Sequence, residues 1–502
     1  MTRLMGIDLG TSSAKAVIVD EDGRLLVCVA QEYGVHTPHP GWAEQDPQAW
    51  FRAVLKTMRT ALDEATVPPG QIAAIGLSGQ MHGTVCLDAW GRVLRPAIIW
   101  PDQRSHQQVE RVYRELGREQ LGQWTANPLA TGFMLATWLW LREHEPDTCR
   151  ATACLLLAKD YVRYRLTGAL GTEASDASST LLFDTARWRW SAPLLEALEI
   201  NPGLLPPLHG SAEVAGGLRA EVAEATGLSQ GTPVVYGGGD QATQALGHGI
   251  VEPGVVSCTI GTGGQLLAPL LEPTYDPSLR LHLFCHALPE RWYLMAATLA
   301  AGLSLKWLRD NVFEHKSYQA LADVAAEVAP GAAGLLFLPH LAGERTPYMD
   351  PGSKAAFVGL TLRHHRGHLI RAVMEGVVMA LRQGLELMVE LGVAVERIVA
   401  SGGAVQHPLW PQLQADVFDR PIHQTRTVEA AAVGAALLAG VGVGVYPDAL
   451  AACQQTVEWR DEVIRPIPEN VALYQGAYHT FRQLYPALKM VTKDEKSVTS
   501  EM

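Results

Sequence analysis

No CxxC pair occurs in this chain, and its seven cysteines, at 28, 86, 149, 154, 258, 285 and 453, are odd in number and scattered. Such spacing gives neither a disulfide framework nor a zinc site, so reduced thiols in a cytosol are the simplest account. Basic charge is also short, with 40 Lys and Arg against 52 Asp and Glu for a formal net charge of -12. That balance excludes the broad positive field that condenses on nucleic acid or anionic lipid, so any phosphate must be held locally. No apolar run reaches the roughly 20 residues that cross a bilayer. The opening MTRLMGIDLG has no basic n-region, long apolar stretch or small-residue cleavage site, and no DNA-binding motif stands at either end. The expectation is a cytoplasmic protein with no nucleic-acid or membrane partner.

What is there is a chain of 502 residues, 48% hydrophobic and 18% charged, long enough for two domains with sizeable cores. Residues 4–9 and 14–20 read as strands around the turn GTSS, and Asp22-Gly23 turns into a third strand, RLLVCVAQEY. IAAIGLSGQ and TVCLDAWGRVL add two strands around the loop MHG, and residues 105–165 carry Leu, Trp and Arg at helical spacing. Strands and helices alternate, so the class is α/β. Near residue 255 the layout begins again, for VVSCTIGTGGQLLAPLLEP repeats the strand, Gly-Thr turn and strand of LMGIDLGTSSAKAVIVDED. The strands WYLMAAT and GLLFLPHL follow with the helix GLSLKWLRDN between them. A long helix over 366–390 then carries Leu369, Val373, Val377, Leu381 and Leu385 on one face. These patterns predict domains at 1–248 and 249–487 and a mobile polar tail at 488–502.

Five stretches could carry chemistry. In GIDLGTSSAKA, the turn Gly10, Thr11, Ser12 and Ser13 offers backbone N–H groups and hydroxyls to an anion such as a phosphate oxygen, and Asp8 just before it could face a metal-bound water. Alone, the motif reads equally as a hairpin with a satisfied aspartate. The mid-chain copy, with Gly261, Thr262, Gly263 and Gly264, supplies a second grip, and two such turns could clamp one polyphosphate. In VVYGGGDQATQALG three glycines precede Asp240. SGQMHG sets Gln80, Met81 and His82 after a strand, where amide and imidazole suit sugar hydroxyls and Met suits an apolar sugar face, although a lone loop histidine is more often structural. Gly402, Gly403 and Ala404 end another strand before a helix. Trp100, Asp102 and Arg104 leave a strand in AIIWPDQRS, where an exposed salt bridge is the plain alternative, and the small-residue run 429–444 reads first as a tightly packed core helix.

Taken together, DLGTSSAKA, SGQMHG, YGGGDQA, IGTGG and SGGAVQHPLWPQLQADVF resemble, in order, the FGGY carbohydrate kinases, and AAFVGLTLRHHRGHLIRAVME resembles that family's second signature, including Gly359, His368 and Glu375. The resemblance spans about residues 3–485. Two places depart from it: Thr137 stands where the first signature usually has Lys, and GGQ follows Thr262 where Ser-Gly is frequent. The resemblance implies two actin-like, ribonuclease H-like domains with a hinged interdomain cleft. It implies ATP-dependent phosphorylation of D-xylulose at its 5-hydroxyl, with ADP as co-product. Asp240 would be the base, with room for substrates made by glycines 237–239 and no need of a strongly raised pKa. Asp8 would face Mg²⁺ through water, and the two would form the catalytic pair. Gln80, Met81, His82, Trp100 and Asp240 would contact the sugar, and the 10–13, 261–263 and 402–404 segments the nucleotide. A homodimer is allowed. Within the family, other substrates are ribulose, fuculose, gluconate or glycerol, although the QMHG loop has no arginine for an acid sugar. Outside that activity, the duplicated plan would also fit a non-catalytic ATP switch of the actin or heat-shock type.

Overall fold

The computed structural model describes residues 2–313 and 317–492. The chain forms two compact units: Met1–Val251 with Pro269–Tyr293 and Arg426–Glu458 in the first, and Glu252–Ala268 with Leu294–Thr425 and Trp459–Met502 in the second. The polar tail expected from residue 488 falls largely outside the described residues, the last helix, Pro468–Thr492, running up to them.

In the first unit, Arg3–Leu9 and Ser13–Asp20 pair antiparallel, with Asp8 opposite Lys15, and Leu25–Glu32 adds a third antiparallel strand. On the other side, Arg3–Leu9 runs parallel to Ile72–Gly79, which runs parallel to Pro233–Val235 and to the short strand Gly238–Gly239. The register sets Asp8 beside Ser78 and Ser78 beside Gly238. Three parallel strands therefore end together, and the carboxyl ends of such strands are where α/β sheets take their ligands.

One face of this sheet packs on the amphipathic helix Pro47–Ala65, capped by Asp46 and burying Trp50, Val54, Met58 and Ala61 against Met5, Ile7 and Ile18. The other face carries the helix Ala430–Gly442, almost wholly buried. Its small residues bring it to the sheet backbone, for a Cβ on Gly6 would lie 1.8 Å from the Ala432 carbonyl oxygen, and one on Gly76 1.8 Å from that of Ala435. An alanine at either place would force the helix away. The run 429–444 is thus a core helix, and this contact explains why a segment so late in the chain belongs to the first unit. The expected strand TVCLDAWGRVL shrinks to Val85–Leu87, because Asp88 closes a turn with its carboxylate and accepts the N–H groups of Trp90 and Arg92.

The second unit repeats the opening hairpin with Gly254–Ile260 and Gly264–Leu270, antiparallel, the first of them parallel to Val395–Ser401. Trp292–Thr298 and Ile422–His423 flank them. The helix Arg366–Glu390 is buried round most of its circumference rather than along one face, Leu369 being only half-buried. On it Glu375 accepts from Arg371 at 2.8 Å and Tyr474 at 2.7 Å, and burial raises its pKa against those contacts.

Candidate active site

Asp8 sits at the end of its strand and accepts from Ser78 Oγ at 2.8 Å, and Ser78 Oγ accepts from Thr243 Oγ1 at 2.8 Å. Thr243 lies one turn into the helix Asp240–Gly247 and also bonds the Asp240 carbonyl. This hydroxyl relay ties the helix that begins at Asp240 to the carboxylate of Asp8. Burial raises the Asp8 pKa, opposed by the Ser78 bond and by the charge of Lys15, which pairs with Glu429 at 2.5 Å. Asp240 is pushed up to about 7, by burial first and then by the charge of Asp8. The sequence argument saw no need for a strongly raised value. The value is raised chiefly because the carboxyl is buried, with the charge of Asp8 second.

The glycines before Asp240 serve a different purpose from the one expected. Gly237 has φ +81°, and a Cβ there would stand 2.0 Å from the Leu77 carbonyl oxygen. A Cβ on Gly238 would meet Thr243 Cγ2 at 3.0 Å, and one on Gly239 would meet Met81 Cγ at 3.1 Å. The space is taken by the chain's own atoms, so these glycines let strand, helix and loop close up, and substrate room is not what requires them.

Gln80, Met81 and His82 are all buried. Gln80 donates to Gln45 Oε1 at 3.0 Å and accepts from Thr11 Oγ1 at 3.3 Å, while Trp100 Nε1 donates to Thr11 Oγ1 at 2.9 Å. The first phosphate turn, the loop and Trp100 are thereby one network. Met81 packs on Gly239. His82 takes φ +75°, a conformation that is costly for a non-glycine residue. Its N–H donates to Ser179 Oγ at 3.2 Å, and its Nδ1 lies 2.8 Å from the Ser179 carbonyl, which assigns the ring proton to Nδ1. Its ring rests on Phe133 at 4.0 Å between centroids.

Asp102 and Arg104 are brought elsewhere. Arg104 pairs with Asp102 at 2.8 Å and Glu44 at 2.8 Å under the ring of Trp42, and both side chains are buried. The salt bridge named as the alternative exists, buried rather than exposed, since two tryptophans and Glu44 enclose it. Thr137 is buried on the helix Met134–His144, so a lysine there would have to bury its ammonium.

Both Gly-Thr turns close on their leading glycine, but over different spans: Gly10 N–H donates to the Ser13 carbonyl three residues on at 3.0 Å, and Gly261 N–H to that of Gly263 two residues on at 3.0 Å. Those two N–H groups are spent inside the turns. Among the described residues, the N–H groups of Thr11, Ser12, Thr262 and Gly263 remain to face an anion. In the second unit a cavity of about 370 Å³ opens beside the turn, lined by Gly261, Thr262, Gly403 and Ala404 of the expected nucleotide set. Gly263 and Gly402 lie outside its lining, Gly402 being held at φ +85° against the Ile260 carbonyl. A short 3-10 turn, Gly403–Gln406, precedes the helix Leu409–Phe418 that was expected directly after the glycines. Sequence reading missed Gly302 and Tyr318, which also line the cavity. Gly302 begins the helix Gly302–Asn311 with its N–H on the Gly261 carbonyl at 2.9 Å, and a Cβ there would lie 2.3 Å from that oxygen. A cavity with glycines on its wall, larger side chains such as Tyr318 and Trp410 and a helix N-terminus beside it suits a flat base and an anionic tail.

Two sequence patterns match this chain: the FGGY family of carbohydrate kinases, N-terminal domain, over residues 3–247, and the C-terminal domain of the same family over residues 256–443. The chain is 36% identical over 500 residues to a xylulose kinase of Staphylococcus epidermidis, covering 99% of both. It is 35% identical over 485 residues to a xylulose kinase of Escherichia coli, covering 96% of this chain and 99% of that one. Among solved structures, it resembles a xyloylose kinase from Brucella ovis with a TM-score of 0.90 and 35% identity, over 97% of this chain and 100% of the other. The chain belongs to the FGGY family of carbohydrate kinases. It is a sugar kinase, a phosphotransferase that uses ATP. Among the described residues, no helix is long and apolar enough to cross a membrane.

Proposed function

We propose that the chain phosphorylates D-xylulose at its 5-hydroxyl with ATP, giving D-xylulose 5-phosphate and ADP. The observation that carries the reading is Asp240, a carboxylate with its pKa near neutrality at the common end of three parallel strands, beside Asp8 and the Gln80–His82 loop. Full-length similarity to xylulose kinases supports the choice of sugar. The absence of an arginine from residues 80–83 disfavours an acid sugar.

In this reading Asp240 accepts the proton of the sugar hydroxyl as its oxygen bonds to the γ-phosphorus, and the bond from that phosphorus to the β–γ bridging oxygen breaks to release ADP. Met81 and His82 hold the sugar, with the His82 ring proton on Nδ1. Each unit's Gly-Thr turn offers N–H groups to phosphate oxygens, Thr11 and Ser12 in the first and Thr262 and Gly263 in the second. Asp8 and Asp240 are adjacent hard donors whose charges disfavour one another, a set that fits Mg²⁺ held largely through water. Asp8 would hold that ion, which neutralises charge on the β- and γ-phosphates when bound.

The test is ADP release with Mg-ATP over a panel of pentuloses, hexuloses, aldonates and polyols. D-xylulose is expected to raise the rate furthest above the sugar-free level. A larger rise with gluconate or a polyol would displace the substrate assignment, and a rate indifferent to every sugar would point to an ATP switch instead.

A further inference from the structure

Residues 174–180 form one short helical segment, Ala174–Ala177 running into the 3-10 turn Ser178–Thr180, with every side chain buried. Its start is fixed by Glu173, whose carboxylate accepts the N–H groups of Ser175 at 2.7 Å and Asp176 at 3.0 Å. Lys159, fully buried, lies 3.2 Å from Glu173 and 3.3 Å from Asp176 and bonds Asp160 at 2.7 Å, while Arg163 pairs with Asp160 at 2.6 Å. Buried charges paired this closely tolerate little displacement, since losing one partner strands the other in a medium that does not solvate it. The segment is therefore a rigid reference inside the first unit.

Three serines on it each receive a backbone N–H from a different part of the chain. Ser175 Oγ accepts from Gly239 at 3.0 Å, Ser178 Oγ from Cys285 at 3.2 Å and Ser179 Oγ from His82 at 3.2 Å. Gly239 immediately precedes Asp240. Ser175 and Ser179 stand four residues apart, on one face of a helical turn. Side-chain packing alone does not fix either place: the strand before Asp240 is all glycine over 237–239, and His82 is held at positive φ. We propose that Ser175 and Ser179 are positioning residues of the phosphoryl transfer, Ser175 aiming Asp240 through the Gly239 N–H and Ser179 holding His82 for the sugar. This rests on the kinase reading given above and adds residues that touch neither substrate.

The experiment is steady-state kinetics of Ser175→Ala, Ser179→Ala and, as control, Ser178→Ala, with D-xylulose and ATP varied separately. Ser175→Ala should lower kcat about tenfold with the sugar KM within about twofold, the worth of one buried hydrogen bond in aim. Ser179→Ala should raise the sugar KM about tenfold with kcat within about twofold. ATP KM should move in neither. Ser178→Ala loses a bond of the same kind to Cys285 rather than to the residue before Asp240 or to His82, and should lower Tm as the others do without changing kcat or KM. The same kinetic profile from Ser175→Ala and Ser179→Ala, or from Ser178→Ala as well, would overturn the proposal. Should an alanine variant fail to fold, the corresponding cysteine variant fills the space with a poor acceptor and carries the same readout. A wild-type enzyme that no sugar stimulates would instead overturn the kinase reading itself, so the two failures are distinct.

Discussion

The two opening hairpins differ at one matched pair of positions. In the first unit Asp8 and Ser78 face each other across parallel strands, with the serine donating at 2.8 Å. In the second, the same register sets Thr259 beside Ser401, hydroxyl to hydroxyl at 2.8 Å. The strand pairing is alike, the first turn is one residue longer, and the charge at the matched position differs. A turn that must accept a polyphosphate does best without a carboxylate at its root, whereas a turn that must meet a cation needs one. In the proposed reading the first hairpin suits a cation and the second an anion. The cavity agrees with this division, since it opens beside the uncharged turn.

The largest expected effect breaks the comparison at the acid that only the first unit has. Asp240→Asn should lose roughly a thousandfold in kcat while both KM values stay near wild type, because the amide keeps the shape and cannot take the proton. Turnover within a few-fold of wild type would remove Asp240 from the base role.

Next in size is an exchange between the two hairpins. Asp8→Thr copies the second unit into the first and should cost about a hundredfold in kcat, with the dependence on Mg²⁺ weakened. Thr259→Asp makes the reverse copy and should raise ATP KM about tenfold by placing a like charge under the phosphates, leaving the sugar KM unchanged. Equal effects of the two exchanges on ATP KM would mean that the hairpins are not specialised.

How much of this division was legible in the sequence depends on distance along the chain. The hairpins, their Gly-Thr turns and the late helix over 366–390 could be read because each is a local pattern of apolar period and turn chemistry. Asp240 stood out as an acid after a strand. What holds its surroundings did not: Ser78, Thr243, Ser175 and Ser179, which bond Asp8, Ser78, the Gly239 N–H and the His82 N–H in turn, are ordinary residues until strands and a helix distant in sequence bring them together. Gly302 was passed over for the same reason, its need for a missing Cβ being set by the Gly261 carbonyl 41 residues earlier. The glycines at 237–239 were seen and misread, because a sequence shows that room was made but not what fills it. For Asp102 and Arg104 an exposed salt bridge was the alternative to a site role, and Trp42, Trp140 and Glu44, which bury that bridge, lie up to 62 residues away.

The smallest effect follows from the burial of Asp240 near a second carboxylate. With the Asp240 pKa pushed up to about 7, kcat/KM of the free enzyme should climb with pH through that value, falling about tenfold for each unit below it, since only the ionised carboxyl accepts the proton. The same shift acts on stability with the opposite sense. The folded protein holds this proton where an unfolded aspartate, with a pKa of 3.8, has lost it, so the contribution is complete below about 3.8 and is lost as pH rises through about 7. Asp240→Asn removes that dependence and should melt higher than wild type at pH 8, by about 2–4 °C for each kcal/mol recovered, with the difference shrinking toward pH 5. Thr259 stands in the second unit where Asp8 stands in the first, and its variant Thr259→Ala should show no such pH-dependent difference in Tm. A Tm gain for Asp240→Asn that is constant from pH 5 to pH 8 would show that the Asp240 pKa is not raised in the folded protein.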